Sequence, residues 1–293
     1  MRASVIFGPG SSERDLRAFR RVQGVSWQSG IPAVQDEADV VILFGGDGTI
    51  HCHLAQLIKL QLPVLIVPRG SGNDFARALS LRSSNHSLIA WQKFVSGGGN
   101  IRLVDVGTIK ALQPSGSDLI SQEHFFCTVA GVGIDGEVAR RANQLPRWLR
   151  GNGGYVLTLL HVIFRFAPFP AKITLDDMAE NEFHPAILTA FANVPAYGGG
   201  MKIAPRALMG DGCLDVCVIR DINKFKLFCV FPTIYLGRHL NMAEVEYSQS
   251  VSVRLETEQP LAVYADGEYV CQTPIEVSLR RNALRVIVPD PHS

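Results

Sequence analysis

The sequence has no excess of charge of either sign: 28 lysines and arginines face 27 aspartates and glutamates over 293 residues, and the basic residues form no block. A protein that tracks a nucleic-acid backbone needs a basic patch or stripe, so nucleic acid is not expected as a partner. Metal and disulfide patterns are missing too. The six cysteines, Cys52, Cys127, Cys213, Cys217, Cys229 and Cys271, form no C-x-x-C pair. They lie mostly in apolar runs and read as reduced core residues. No stretch is built to cross a bilayer. The longest one without Asp, Glu, Lys or Arg, Phe183 to Met201, contains His184, Pro185, Pro195 and the triplet Gly198, Gly199 and Gly200. These would break a lipid-exposed helix. The first residues, Met1 to Gly8, contain an apolar run of only three, Val5-Ile6-Phe7, which is short of a signal-peptide core. A cytoplasmic location is therefore expected. No amphipathic basic helix stands out that would hold the chain to a membrane surface.

What is present is ample material for a folded core: 47% hydrophobic and 19% charged residues, with 15 phenylalanines. Mean hydropathy is slightly positive, +0.14, which points to unusual apolar surface or a large apolar binding site. The length allows about two domains. Residues 3–7 read as a short strand ending in a Gly-Pro-Gly turn, with a helix from Glu13 to Val22. Val40 to Phe44 is a continuous β-branched and aromatic run, as in a strand buried on both faces of a parallel sheet. Ile50, Leu54, Leu57 and Ile58 then fall at i, i+4, i+7 and i+8, one face of a helix. Val64 to Val67 is another strand and Phe75 to Leu81 another helix. Strand, glycine loop and helix thus recur twice, which implies right-handed βαβ units and a Rossmann-like half-domain.

After Gly97-Gly98-Gly99 the pattern changes. Val251 to Glu256 and Ile275 to Arg280 alternate apolar and polar side chains, the period of antiparallel strands with one wet face. Ala186 to Val194, Leu214 to Ile219, Leu261 to Ala265 and Leu284 to Val288 add further strands, and Tyr155 to Phe166 is an apolar helix candidate containing His161. The expected class is α/β plus β. An N-terminal Rossmann-like domain over residues 1–104 precedes a C-terminal antiparallel, β-sandwich-like domain over residues 105–293, whose last residues are free to pack back on the first.

A glycine-rich turn at the carboxyl end of a parallel strand lets backbone N–H groups approach an anion, and the following helix adds its positive end. Gly45-Gly46-Asp47-Gly48-Thr49 occupies such a place. The same composition also suits a plain turn. Asp47 would repel a bare phosphate, so it makes sense only with a backbone or metal contact, which favours a nucleotide with Mg²⁺. No G-x-x-x-x-G-K-[ST] P-loop is present, and no G-x-G-x-x-G opens a helix here. Asp266-Gly267-Glu268 reads first as a hairpin turn, because Asp-Gly is a strong turn signal. Gly210-Asp211-Gly212 also reads as a turn. Lys202 and Arg206 read as solvated surface cations or as phosphate partners.

The ordered set of motifs resembles the soluble diacylglycerol kinases, with sphingosine and ceramide kinases as relatives. It comprises Gly45 to Thr49, then Pro68-Arg-Gly-Ser-Gly-Asn-Asp-Phe-Ala-Arg77 and Asp105-Val-Gly107. Ala130-Gly-Val-Gly-Ile-Asp135, the stretch from Asn193 to Pro205, Gly210-Asp-Gly-Cys-Leu-Asp215 and Asp266-Gly-Glu268 complete it. The likeness covers almost the whole chain. The loop from Gly45 to Thr49 alone is shared with NAD kinases and, loosely, with phosphofructokinases; the ordered set that includes the segment ending at Arg77 is specific to the lipid-kinase group.

The resemblance implies a kinase that moves the γ-phosphate of Mg·ATP to a lipid hydroxyl, diacylglycerol-like, in an interdomain cleft. It implies ATP contacts at Gly45, Gly46, Asp47, Gly48, Thr49, Ile50 and His51, and at Ser71, Asn73 and Asp74. The family's first loop, Asn-Pro-x-Ser-Gly, here reads Gly8-Pro9-Gly10-Ser11-Ser12, without the Asn and the final Gly. Ser71 stands for a usual Thr and His51 for a usual Asn. Glu268 is implied as general base, supported by Asp266, with Asp105 a further catalytic carboxylate. A structural Mg²⁺ would take the Asp211 side chain and the carbonyls of Leu208 and Cys213. The implied partner is a lipid at a membrane surface, met peripherally at its inner face, and a homodimer is left open. Two other readings remain: an NAD kinase-like enzyme, and a non-catalytic nucleotide- or lipid-binding protein.

Overall fold

A computed structural model describes residues 1–112, 123–134, 166–176, 178–179 and 182–290. Most of the candidate helix from Tyr155 to Phe166, with His161, lies outside the described residues, and so does Asp135. The chain divides into two units, Met1–Val106 with Arg280–Ser293, and Gly107–Leu279.

The first unit is built on parallel strands. β1 (Arg2–Phe7), β2 (Ser26–Ser29), β3 (Val40–Gly45) and β4 (Pro63–Pro68) lie in the order β2-β1-β3-β4. Val5 stands beside Ile42 and Ile42 beside Leu65. β3 is buried along its whole length, as its β-branched run requires when both faces are covered. The helices are α1 (Glu13–Leu16), α2 (Asp47–Leu60), α3 (Asp74–Ala78) and α4 (Ser84–Val95). Ile50, Leu54, Leu57 and Ile58 of α2 are buried, each burial contributing about 1.5–3 kcal/mol. Gln61 ends α2 in the left-handed region at φ 54°.

The expected helix from Glu13 to Val22 breaks after one turn. A 3₁₀ turn at Phe19–Arg21 follows; Leu16 and Phe19 are both buried, and Phe19 sets its ring edge-on to Phe44 at 5.3 Å. The helix expected from Phe75 to Leu81 is likewise shorter, ending at Ala78.

A long strand, β5 (Ile101–Ala111), carries the chain from the first unit into the second, where it pairs with β6 (His124–Phe126). The second unit is antiparallel. β7 (Val129–Gly133), β8 (Phe169–Leu175) with the short β9 (Met178–Ala179) beside it, and β10 (His184–Ala192) are followed by β11 (Leu214–Arg220). The helix α5 (Lys224–Ile234) then connects β11 to β12 (Val245–Ser250), and β13 (Ser252–Thr257) comes next. β10 pairs with β7, β8 and β11, and β11 with β12. The hairpin of β14 (Ala262–Ala265) and β15 (Glu268–Gln272) pairs with β7 through β14.

The alternating stretches pack one face inward, Val253 and Leu255 on β13, Ile275 and Val277 beyond. The two strands expected at Ile275–Arg280 and Leu284–Val288 are one continuous strand, β16 (Ile275–Ile287). Its first half pairs with β13 in the second unit, and its second half lies parallel to β4 in the first. Of the described cysteines, Cys127 and Cys217 are buried, as expected, whereas Cys52 is exposed on α2.

Candidate active site

In the first unit, the loops leaving β1, β3 and β4 are tied to one another by main-chain contacts. The Gly8 amide donates to Phe44 O at 2.7 Å, and the Ser11 hydroxyl donates to Gly8 O at 2.6 Å and Phe44 O at 2.9 Å. The Arg69 amide donates to Gly45 O at 2.9 Å. Gly46 and Gly70 pass so closely that a Cβ on Gly46 would lie 2.8 Å from Gly70 Cα. Thr49 fills the space beside Gly8 and Gly45, where any larger side chain would meet it. The glycines are therefore needed for close approach of loops as well as for any ligand.

Asp47, the first residue of α2, turns its carboxylate to the start of α3: its two oxygens accept the amides of Asp74 at 3.1 Å and Phe75 at 3.2 Å. This is the backbone contact that its chemistry calls for. Asn73, at φ 54°, accepts the Gly70 amide at 2.8 Å and donates to Gly70 O at 2.6 Å. Asp74 is buried and takes Arg77 Nη2 at 2.7 Å, and the same guanidinium donates to Gly72 O. Asn73, Asp74 and Arg77 thus fix the shape of their own segment. Ile50 is buried and His51 half-buried on α2, while Pro9, Gly10, Ser12 and Ser71 are exposed. Ser12 is the N-cap of α1, with its amide donating to Asp15 at 2.8 Å. The first turn of α2 has Gly46 as N-cap and no side-chain cap. Its main-chain amides, Gly48 included, offer the donors that a phosphate requires.

Asp105 is buried in β5 and accepts the Asn282 amide at 2.7 Å, where β16 passes through the left-handed region at φ 51°. It holds the strand that returns to the first unit.

In the second unit, Asp266 and Gly267 form the turn between β14 and β15 with φ values of 51° and 86°. Both are positive, as the tightest hairpin turn requires. The Asp266 carboxylate accepts the amides of Thr128 at 2.8 Å and Cys127 at 3.0 Å, together with the Thr128 hydroxyl. Asn193 extends this group, donating to Cys127 O at 3.1 Å. Glu268, the first residue of β15, is exposed. The turn thus anchors one carboxylate and presents the next.

A third cluster surrounds Asp211. Its Oδ1 accepts the Cys213 amide at 3.0 Å, and Gln249 Nε2 lies 3.4 Å from both Asp211 Oδ2 and Asp215 Oδ1. Asp215 is buried and accepts the Tyr247 hydroxyl at 2.6 Å, while its other oxygen accepts no hydrogen bond from the described residues. Burial pushes the Asp215 carboxyl above the usual range and the Asp211 charge adds to this, against the hydrogen bonds from Tyr247 and Gln249. Burial, followed by the bond to Asp215, pushes the Tyr247 phenol up. A cation would satisfy the bare oxygen and offset both charges, so the residues present fit the implied Mg²⁺. No group of three or more His, Cys, Asp or Glu able to hold a metal occurs among the described residues. Carbonyl oxygens such as those of Leu208 and Cys213 would have to complete the ligand set.

Comparison with known proteins places these motifs in a family. The diacylglycerol kinase catalytic domain profile matches residues 31–109, and the YegS C-terminal NAD kinase beta sandwich-like domain matches residues 128–288. A diacylglycerol kinase of Mycobacterium tuberculosis is 34% identical over 257 residues, covering 88% of this chain and 79% of its own. The chain belongs to the diacylglycerol kinase family. It is a lipid kinase by that membership. A diacylglycerol kinase of Bacillus subtilis is 26% identical over 257 residues, covering 86% and 78% of the two chains. The crystal structure of a diacylglycerol kinase from Bacillus anthracis has a TM-score of 0.71 at 21% identity, with 98% and 96% coverage. An NAD kinase from Archaeoglobus fulgidus, crystallised with ATP, has a TM-score of 0.56 at 14% identity, with 98% and 93% coverage. These two likenesses establish the fold: an N-terminal α/β domain and a C-terminal β-sandwich-like domain.

In this lipid kinase, sequence reading assigned no role to Asp215, Tyr247 or Gln249 around Asp211, nor to Thr128 around Asp266. The signal for Asp215 was present: a carboxylate beginning an apolar strand, Leu-Asp-Val-Cys-Val-Ile, has to find a partner. Thr128 is far from Asp266 in sequence, and only the pairing of β7 with β14 brings them together.

Proposed function

We propose that the chain transfers the γ-phosphate of ATP to the hydroxyl of a diacylglycerol-like lipid. The observation that carries this reading is the anchored turn at Asp266 with Glu268 beside it, in a chain of the lipid kinase family. Glu268 accepts the proton of the attacking hydroxyl, and Asp266 holds the turn that presents it. The main-chain amides at Gly46 and in the first turn of α2 hold phosphate oxygens, and Ser71 offers an exposed hydroxyl in the same unit. When bound with the nucleotide, Mg²⁺ neutralises charge on the transferring group. A second Mg²⁺ at Asp211 and Asp215 would fix the segment from Leu208 to Asp215 and carry no chemistry.

The test is incubation of the purified chain with Mg²⁺ and γ-labelled ATP against diacylglycerol, monoacylglycerol, sphingosine, phosphatidylglycerol and NAD. Label is expected in the phosphate ester of diacylglycerol. Label in NAD alone would favour the NAD kinase reading, which the shared fold supports; nucleotide binding without any product would favour a non-catalytic binder.

A further inference from the structure

The helix α5 presents apolar side chains outward. Phe225, Phe228 and Pro232 recur at i, i+3 and i+7 on one face, and the residues that follow, Tyr235 and Leu236, extend the stripe. Phe225 is 71% exposed, Phe228 42%, Tyr235 39% and Leu236 64%. The opposite face is the one that packs: Leu227 and Ile234 are buried. The run Lys-Phe-Lys-Leu-Phe shows in sequence which residues are apolar, and only its packing shows that Leu227 turns inward while Phe225 and Phe228 turn out.

The surroundings of this stripe are basic. Lys224 and Lys226 begin the helix and Arg238 follows it, all exposed. Exposed Lys202 joins the helix end through its amide, which donates to Ile234 O at 3.2 Å. The nearby acids are Glu244, which pairs with Lys226, and Asp221, which precedes the helix. Aromatic side chains flanked by lysine and arginine suit the headgroup boundary of an anionic bilayer, where the rings enter the acyl region and the cations meet lipid phosphates. The stripe is also joined to the turn that carries Glu268. Asn193 bonds Cys127 beside Asp266, and the chain from Asn193 runs to Lys202 at the end of α5.

We infer that the outward face of α5, with Phe225, Phe228, Tyr235 and Leu236 ringed by Lys202, Lys224 and Arg238, docks the second unit on an anionic membrane surface. This docking rests on the lipid kinase reading for its purpose, and its test does not depend on catalysis. The full chain, without nucleotide, is sedimented with vesicles of phosphatidylcholine and with vesicles that also contain phosphatidylglycerol. Preferential binding to the anionic vesicles is expected, weakened by added salt. The double variant Phe225→Ser/Phe228→Ser is expected to lose about tenfold or more of that binding, and Lys224→Glu to lose its anionic preference in part. Both variants should keep the rate of the wild type on a short-chain, water-dispersed diacylglycerol. Phe225→Trp gives an independent readout that leaves the apolar stripe in place: its fluorescence should shift to the blue when anionic vesicles are added. Equal binding by wild type and the double variant would overturn the inference, as would an emission maximum of the Phe225→Trp protein that anionic vesicles leave unchanged. So would a wild-type dimer in sedimentation velocity that the Phe225→Ser/Phe228→Ser change dissociates, because the stripe would then be covered by a second copy of the chain. Vesicle binding by a chain that phosphorylates no lipid would support docking and remove the kinase reading alone.

Discussion

Asp266 accepts the Thr128 amide at 2.8 Å and the Thr128 hydroxyl with the same carboxylate oxygen, so the turn that leads to Glu268 is locked to the start of β7. The two acidic residues of this turn therefore have separable effects. Replacing Asp266 by Ala leaves the amides of Cys127 and Thr128 without their acceptor and should lower stability by about 2–3 kcal/mol. Activity should fall with it. Thermal unfolding and initial rates of the same sample check this; full stability with lost activity would assign Asp266 to the chemistry instead.

The Asp47 carboxylate caps α3 and does not lie against a phosphate by itself. Asp47→Ala should cost about 1–2 kcal/mol through the loss of the two amide contacts at Asp74 and Phe75. It should also raise the KM for ATP, because the loop from Gly70 to Asn73 loses its support. Asp47→Asn keeps an acceptor oxygen and should lose less on both counts. Urea unfolding together with ATP titration of the rate distinguishes the two variants.

Gly46→Ala should damage nucleotide binding more than it damages the remainder of the fold. The added Cβ meets backbone, Gly70 Cα at 2.8 Å, and no flexible side chain can move aside. ATP affinity by calorimetry should fall for Gly46→Ala, while Gly10→Ala, where a Cβ meets nothing within 4 Å, bears only the strain of its positive φ.

The Asp215 carboxyl is held above its usual value by burial, so it binds its proton more tightly in the folded chain than in the unfolded one. Without a divalent cation, the stability it supports is present at low pH and is lost as pH rises from 3.8, the ordinary value, through the raised folded value. Asp215→Asn removes that loss. With Mg²⁺ present, the wild type should gain in Tm at neutral pH and Asp215→Asn should not. A calorimetric melt of both proteins with Mg²⁺ and with a chelator checks the sign.

His239 provides a second pH dependence of opposite sense. It is buried, its Nε2 lies 3.0 Å from Ile203 O, and its Nδ1 has no partner among the described residues. Burial holds its pKa below 6.5. Stability should therefore fall as pH drops below 6.5, the ordinary value, towards the lowered folded value, by at most about 1.4 kcal/mol per pH unit for one proton. His239→Gln should flatten this part of the stability profile in urea.

Much of the first unit was legible because β-branched runs such as Val40 to Phe44 have one reading in a parallel sheet, and the glycine loops follow them. α4 and β2 were not. Ser84-Asn-His-Ser is a weak helix former, only Ser87, Ala90 and Trp91 of α4 are buried, and β2 (Ser-Trp-Gln-Ser) has no apolar face. The Asp-Gly turn at Asp266 was legible from composition. Its anchoring at Thr128 and Cys127 was not, because register between distant strands decides it. The outward stripe on α5 was hidden for a related reason: sequence shows which residues are apolar, and only packing shows which of them the core leaves out.

The most direct measurement is the rate of phosphate transfer from γ-labelled ATP to diacylglycerol in mixed micelles with Mg²⁺, for the wild type and for Glu268→Gln. Because Glu268 is exposed, the variant should keep its Tm and its affinity for ATP. Expected is labelled lipid phosphate from the wild type and a rate about 10²–10⁴-fold lower from Glu268→Gln. An undiminished rate in that variant, or no lipid product from the wild type, would contradict the role given to Glu268 and the reaction proposed for this chain.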